Sequence, residues 1–252
     1  MGSVFVERFS AAGEKVLVYD VSDEAVQRAK GFGATPCSSP AALARECDVV
    51  DVMVRNDKQM LDVCLGKDGV LEGLASGKVL LLHSSTQPHT TRKIAEAAAK
   101  QGIPVADACI TAIPAVLRAG NGACLFGGDP QLLEQVKPHL LRLVKQVFYM
   151  GPLGCGNIAK GVRNMINISE QLLVKEGFDI CEAAGITHER ARAMMQHIYA
   201  SRSLDGYETF QPSGPAGNLF ETILPIAERA ADDHGVKAPL THLLASADAP
   251  LA

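Results

Sequence analysis

The chain has 252 residues, of which 47% are hydrophobic and 21% charged, and its net charge is −4, with a sequence pI near 6.0. This length and apolar content predict a globular protein of one large or two modest domains, while the weak negative charge and the lack of lysine and arginine runs argue against a nucleic-acid partner. No apolar run reaches the roughly 20 residues that cross a bilayer, and the N-terminus lacks a signal-peptide pattern, so we expect a cytoplasmic protein without membrane contact.

The seven cysteines are odd in number, scattered along the chain and never in C-x-x-C spacing. This distribution argues against both a disulfide framework and a structural zinc site. We therefore expect no bound metal and interpret most of the cysteines as small buried apolar residues.

Residues 1–150 alternate strand-like and helical patterns. Strands are predicted at 16–20, 48–54, 78–83, 104–107, 123–126 and 147–150, and helices at 4–12, 24–30, 91–100 and 130–144. Because such alternation requires crossover connections, it predicts an α/β fold with a mostly parallel, Rossmann-like sheet. This unit is N-terminally incomplete: the chain opens with a helix followed by the strand at 16–20, so a first strand and two glycines of a phosphate-binding loop are missing.

Residues 151–252 have a helical pattern. The stretch Gly151-Pro152-Leu153-Gly154 is rich in turn residues and predicts a hinge, and the run 158–184 has no internal proline, which predicts one long helix. Nothing strand-like follows, so an all-α domain is predicted for residues 151–252. We interpret residues 211–217 as a loop and residues 246–252 as a frayed tail.

Asp20 closes the strand at 16–20, where an acidic side chain can accept hydrogen bonds from an adenosine ribose. A 2′-phosphate at this position would meet an uncompensated carboxylate, so Asp20 favours NAD over NADP. The alternative interpretation is that Asp20 only caps the helix that follows.

Lys160 and Asn164 are four residues apart on the predicted long helix, so both side chains lie on one helix face. A lysine in a partly dry cleft can serve as a general acid and base near neutral pH. The alternative is an ordinary solvated pair, although the nearby glycines at 151, 154 and 156 favour close backbone approach. Neither Cys155 nor His83 is assigned a catalytic role.

Residues 154–164 match G-x-G-x-x-x-K-x-x-x-N, residues 107–113 resemble D-A-P-V-S-G-G, and residues 84–88 resemble S-T-x-x-P. By these three segments the chain resembles the β-hydroxyacid dehydrogenase family, which includes 3-hydroxyisobutyrate dehydrogenase and tartronate semialdehyde reductase and is related to 6-phosphogluconate dehydrogenase. In the last segment Ser85 aligns with the family threonine, and Thr86 is the neighbouring alternative. Met1-Gly2 resembles the end of the family's glycine loop.

This resemblance implies reversible hydride transfer between a nicotinamide cofactor and a small β-hydroxyacid or semialdehyde, by a homodimer or homotetramer. It implies that Lys160 is the general acid and base, that Asn164 orients the substrate, and that Thr111 with the backbone amides of Ala112 and Ile113 binds the substrate carboxylate. The expected cofactor is NAD, with NADP less favoured. The residues expected to bind it are Gly2, Asp20, Val54, Arg55, Gln59 and Ser85.

The chain departs from the family pattern at several positions. Ala112 and Ile113 replace two glycines, and Thr222 and Ile223 stand where the family has the lysine and aspartate of K-D-L. With the incomplete glycine loop, these departures leave a second hypothesis: a non-catalytic, truncated relative that binds cofactor poorly or not at all. A third is that the gene product starts upstream of Met1.

Overall fold

The structure is a computed structural model that describes residues 1–198, 213–214, 217–218, 224–233, 235 and 241–243. The chain divides into two compact units, Met1–Lys160 and Gly161–Ala252.

The first unit alternates helices and strands. In chain order they are α1 (Gly2–Ala11), β1 (Leu17–Val18), α2 (Asp23–Gly31), β2 (Thr35–Pro36), α3 (Pro40–Arg45), β3 (Val49–Val52), α4 (Asp57–Leu65), α5 (Val70–Gly73), β4 (Val79–Leu82), α6 (Pro88–Ala99), β5 (Val105–Thr111), α7 (Pro114–Arg118), β6 (Ala123–Gly127), α8 (Pro130–Leu143) and β7 (Gln146–Gly151). Helix α9 (Cys155–Ala183) begins in this unit and continues into the second.

Five strands form the main sheet in the order β3-β4-β5-β6-β7. All neighbours are parallel except β5 and β6, which pair antiparallel with Asp107 opposite Gly127. Helices cover both faces, so the predicted α/β class with a mostly parallel sheet is confirmed. The sequence did not predict β2, α3, α5 or α7, because these elements are too short to establish a hydrophobic period. The nine-residue helix α4 was also not predicted.

The strands β1 and β2 form a separate two-stranded parallel sheet. No strand within the described part of the chain joins β1 to β3, so the predicted gap in the sheet is confirmed. Helix α1 connects the two parts, because Phe5 and Phe9 belong to the core of the main sheet while Val6 packs with Ala29 and Ala34 against the small sheet.

The side chains of the buried strand β4 point alternately into two hydrophobic cores, one on each face of the main sheet. Val79 and Leu81 face the core that is covered by α1, α7 and α8, whereas Leu80 and Leu82 face the core that is covered by α3 to α6. The odd residues of β5, including Asp107, share the second face with Leu80, since Ala106 and Ala108 lie in the first core. This placement brings the carboxyl end of β5 beneath α6.

The second unit contains α10 (His188–Ile198) and α11 (Leu224–Asp233) beside the remainder of α9. Phe178 of α9 stacks on His188 with ring centroids 4.6 Å apart. A short antiparallel pair, β8 (Ser213–Gly214) with β9 (Gly217–Asn218), lies where the sequence predicted a loop and no strands. The expectation that the second part is entirely helical is therefore wrong at this hairpin, because two-residue strands are too short to show a period of two. The predicted tail, residues 246–252, lies outside the described residues. So do residues 211–212 and 215–216 of the predicted loop.

A buried ionic cluster links β3, β4 and α8 on the first face. Asp51 of β3 accepts hydrogen bonds from His83 Nε2 at 2.7 Å and His139 Nε2 at 2.9 Å. His83 Nδ1 lies 2.7 Å from the carbonyl oxygen of Ala108. Both ring nitrogens of His83 therefore have an oxygen partner within hydrogen-bond distance, a backbone carbonyl on one side and a carboxylate on the other.

Helix α1 closes over this cluster with aromatic rings. Phe9 stacks on His139 at a centroid distance of 4.5 Å, and Phe5 meets His83 edge to face at 4.9 Å. Burial by itself would raise the pKa of Asp51, but the hydrogen bonds and positive charge of His139 and His83 outweigh it and hold the pKa well below its usual range.

Replacing Asp51 by asparagine should lower the free energy of unfolding at pH 7 by about 3 to 5 kcal/mol, because the buried His83 ring loses its charged hydrogen-bond partner. Since the folded-state pKa of Asp51 is lowered, the carboxylate stabilises the fold above about pH 4 and this contribution is lost as the pH falls further. Urea denaturation of wild type and Asp51→Asn should therefore show a smaller difference in unfolding free energy at pH 3 than at pH 7. Asp48→Asn is the matched control, since that side chain is 85% exposed; an equal loss in both variants would contradict the assignment.

Candidate active site

The carboxylate of Asp107 holds the first turn of α9 against β5. Its Oδ1 accepts the backbone N–H of Gly154 at 2.7 Å, and its Oδ2 accepts the backbone N–H of Asn157 at 2.7 Å. Asp107 is fully buried. A carboxylate at this position satisfies N–H groups that have no partner within the helix and lies at the positive end of the helix dipole.

Two opposing effects act on the pKa of Asp107. Burial raises the pKa of Asp107 to about 6, and the backbone N–H groups of Gly154, Asn157 and Gly156 act in the opposite direction. At neutral pH the group is mainly ionised, which is the form that accepts these hydrogen bonds.

Glycine is required where α9 meets the sheet. A Cβ atom on Gly156 would lie 2.5 Å from the carbonyl oxygen of Leu125 and 2.7 Å from Asp107 Oδ2. A Cβ atom on Gly127 would lie 2.5 Å from Asp107 Oδ1 and 2.7 Å from the Gly156 nitrogen. These two glycines allow the helix to approach close enough for the Asp107 hydrogen bonds.

Gly156→Ala should lower the free energy of unfolding by about 1 to 3 kcal/mol, because the added methyl group forces the helix away from β5. Thermal unfolding should show a Tm that is lower by several degrees, at about 2 to 4 °C per kcal/mol. Gly31→Ala is the control, since a Cβ atom there meets no atom within 4 Å. The same Tm for both variants would rule out the close approach.

Asn157 connects this helix turn to the segment that follows β4. Its Oδ1 accepts a hydrogen bond from Thr91 Oγ1 at 2.8 Å, and its Nδ2 donates to the carbonyl oxygen of Ser84 at 3.3 Å. The same Nδ2 lies 3.3 Å from Cys109 Sγ and 3.5 Å from Thr86 Oγ1. The amide therefore contacts β5, α6 and residues 84–86 at once.

Lys160 lies one helical turn beyond Gly156 and close to β5. Burial raises the pKa of Cys109 well above its ordinary value and Asp107 adds to this effect, whereas the positive charge of Lys160 opposes it. Thr111 lies on the same side of β5 as Cys109, two residues further along. The charge of Lys160 thus acts on Cys109, a residue on the side of β5 that also carries Thr111. Asn164 lies on the part of α9 that belongs to the second unit, where its Oδ1 accepts from Arg163 Nη1 at 3.1 Å.

The two residues after Thr111 have different environments. Ala112 packs against the first core, and Ile113 is 65% exposed at the start of α7. Their backbone amides follow directly on the strand that carries Thr111, which extends beyond the predicted bounds of 104–107, while the Ile113 side chain adds an exposed apolar group.

The loop after β3 is hydrogen-bonded to the side chain of Ser84. Ser84 Oγ accepts the backbone N–H of Val54 and also donates to the Val54 carbonyl oxygen, both at 2.8 Å. Gln59 Oε1 accepts the backbone N–H of Arg55 at 3.0 Å. Val54 is therefore brought beside the segment that contains Ser85, and Ser85 is more accessible than the buried Thr86.

Gly2 and Asp20 mark the start of the first unit. Gly2 is the first residue of α1, a Cβ atom there would meet no atom within 4 Å, and the first turn has no acidic residue. Such a helix start accommodates a phosphate. Asp20 is exposed, and its Oδ1 accepts the backbone N–H of Ser22 at 2.9 Å. The cap of α2 is Ser22 itself, whose Oγ accepts from Ala25.

Sequence reasoning assigned no role to Asp107, Asn157, Thr91 or Ser84. A charged residue inside the apolar strand 105–111 was the available signal for Asp107, because an isolated carboxylate in a buried strand needs several donors. For Asn157 the signal was a polar residue on the first turn of a glycine-started helix. Ser84 lies in the segment that resembles S-T-x-x-P, but that pattern gave it no role, and no sequence pattern pointed to Thr91.

The profile of the NAD binding domain of 6-phosphogluconate dehydrogenase matches residues 1–151, which is more than half of the chain. The chain belongs to the β-hydroxyacid dehydrogenase family. It therefore contains an NAD(P)-binding domain, and the family resemblance seen in its motifs is confirmed.

Relatives with curated names agree with this family. The chain is 30% identical to a probable mitochondrial 3-hydroxyisobutyrate dehydrogenase of Dictyostelium discoideum, over 74% of this chain and 61% of that protein. It is 27% identical to the 3-sulfolactaldehyde reductase of Escherichia coli K12, over 80% and 68% of the two chains. The chain thus aligns with about three fifths of the length of the Dictyostelium relative.

The fold is that of known family members. The solved structure of Mycobacterium tuberculosis 3-hydroxyisobutyrate dehydrogenase with L-serine superposes with a TM-score of 0.82 at 22% identity, over 97% of this chain and 88% of that one. The Rossmann-like assignment is confirmed by this likeness.

No group of three or more histidine, cysteine, aspartate or glutamate side chains is arranged to hold a metal ion among the residues described. Over the same residues, none of the helices combines the length and apolarity needed to cross a membrane.

Proposed function

We propose that this protein is an oxidoreductase that transfers a hydride between a nicotinamide cofactor and a small β-hydroxyacid or the corresponding semialdehyde, with Lys160 as general acid and base. The observation that carries this proposal is the anchoring of the Lys160 helix to β5 through Asp107. Such anchoring supports the proposal, because it fixes the start of the Lys160 helix against β5, the strand that carries Thr111.

The residues present fit a dinucleotide. Gly2 offers open space at a helix start, Asp20 offers an exposed carboxylate for ribose hydroxyls, and Val54 with Arg55 and Ser85 lines the carboxyl ends of β3 and β4. Gln59 supports this loop through Arg55. A nicotinamide, when bound, accepts or supplies the hydride.

The side chains of this chain supply binding and proton transfer. Thr111 and the amides of Ala112 and Ile113 hold the substrate carboxylate, and Asn164 orients the hydroxyl-bearing carbon. In the oxidative direction Lys160, as the neutral amine, takes the hydroxyl proton as the hydride leaves the same carbon; in the reductive direction the ammonium returns that proton to the carbonyl oxygen.

The names of the relatives support the substrate class. They act on 3-hydroxyisobutyrate and 3-sulfolactaldehyde according to those names, and both compounds are small and acidic. We propose NAD as the preferred cofactor because of Asp20, and a homo-oligomer as the working assembly, with residues from 151 onward as its substrate and dimerisation part. The cytoplasmic location stays a prediction.

Lys160→Ala should reduce the turnover of 3-hydroxyisobutyrate with NAD by about two to four orders of magnitude, because the variant lacks the proposed proton acceptor. The Kd for NADH should stay within a factor of about two, since the lysine acts on the substrate. Steady-state kinetics and calorimetric titration measure the two quantities. Lys175→Ala, on the same helix and paired with Asp179, should behave as wild type; full activity in Lys160→Ala would exclude this residue as the base.

Calorimetry should show tighter binding of NADH than of NADPH by the wild-type chain, because the Asp20 carboxylate repels a 2′-phosphate. Asp20→Ser should raise the affinity for NADPH by about tenfold or more, since a like charge is removed. Asp23→Ser, an exposed acidic position on α2, is the control and should leave the ratio unchanged. A folded wild-type chain that binds neither dinucleotide would contradict the proposed function and favour a non-catalytic relative.

A further inference from the structure

Asn157 is completely buried and lies three residues before Lys160, on the first turn of α9. Its side chain is held by a donor from α6, Thr91, and by an acceptor after β4, the Ser84 carbonyl oxygen. Because an unpaired polar atom in a dry environment is costly, the amide keeps these partners and its orientation is fixed.

The hydrogen-bond partners of Asn157 lie in two places, beside the proposed cofactor segment and at the start of the Lys160 helix. Ser84 precedes Ser85, the residue assigned to the cofactor, and its hydroxyl also holds Val54. The Asn157 backbone N–H is bound by Asp107, which fixes the helix of Lys160. Asn157 therefore contacts both the segment 84–86, which is assigned to the cofactor, and the helix start that leads to Lys160.

We propose that Asn157 is a positioning residue, which sets the separation between the segment 84–86 and Lys160 so that hydride and proton transfer occur in one geometry. This inference rests on the proposed function. Asn157 acts through the two segments that it connects, with its amide oriented by Thr91.

Thr91 allows the proposal to be tested away from the reacting groups. Its hydroxyl donates to Asn157 Oδ1 at 2.8 Å, and Thr91 lies on α6, outside the assigned cofactor and substrate residues. The preceding residue, Thr90, is also buried, but its hydroxyl has no hydrogen-bond partner among the residues that the structure describes. Thr90 is therefore a matched control for the loss of a buried hydroxyl.

Thr91→Val removes the donor and preserves the shape of the side chain, while Thr91→Ser and Thr91→Ala differ from each other only in the hydroxyl. With 3-hydroxyisobutyrate and NAD, we expect kcat to fall about tenfold in Thr91→Val and Thr91→Ala, since misplacement of reacting groups acts on the chemical step. The KM for NAD should change by less than about twofold. Thr91→Ser and Thr90→Val should retain the wild-type kcat. A kcat for Thr91→Val equal to that of Thr90→Val, or a loss in Thr91→Ala that Thr91→Ser does not restore, would overturn the proposal.

Hydrogen-exchange mass spectrometry supplies a readout that does not need turnover. Thr91→Val and Thr91→Ala should speed amide exchange in both segments 84–87 and 154–160, whereas Thr90→Val should leave both as in wild type. Faster exchange in one segment alone would mean that Asn157 does not connect the two, and the inference would fail. If the wild-type chain shows no dehydrogenase activity, the proposed function fails while this comparison still decides the positioning role.

Discussion

The contact between the Asp107 carboxylate and the start of α9 is the constraint on which the candidate site depends. A charged group inside an apolar strand is tolerated because three backbone N–H groups of one helix turn surround it. The same arrangement needs glycine at 127 and 156, since a side chain at either position would separate helix and sheet. Part of the family motif around Lys160 thus serves packing. Its glycines let α9 approach β5 closely, and the Asp107 carboxylate then holds the helix there.

Sequence patterns predicted the long elements because those elements bury continuous apolar faces. Strands β3 to β6 and helices α1, α6 and α8 all carry such faces. The short elements α3, α5 and α7 were not predicted, since a helix of four to six residues cannot establish a period. Loop residues such as Val54 and Ser85 were placed by resemblance, and the structure adds that Ser84 fastens that loop.

The polar interior could not have been predicted from one sequence. Asp51, His83 and His139 are separated by 32 and 56 positions along the chain, and Thr91 is 66 positions from Asn157. Such partners are brought together only by the tertiary fold, and each residue alone has an ordinary surface interpretation. His83 illustrates this: its position at a strand end gave no sign of burial, yet the ring is buried between a carboxylate and a carbonyl oxygen.

The division of the sheet has a thermodynamic consequence. The segment from β1 to β2 meets the rest of the first unit largely through side chains of α1 and through Val16, without a strand ladder to the five-stranded sheet. Opening of this corner would leave the hydrogen bonds of the main sheet intact, so we expect a local unfolding unit of lower free energy than the global transition. A dinucleotide bound at Asp20, as proposed, would then contribute its binding free energy to holding this corner closed.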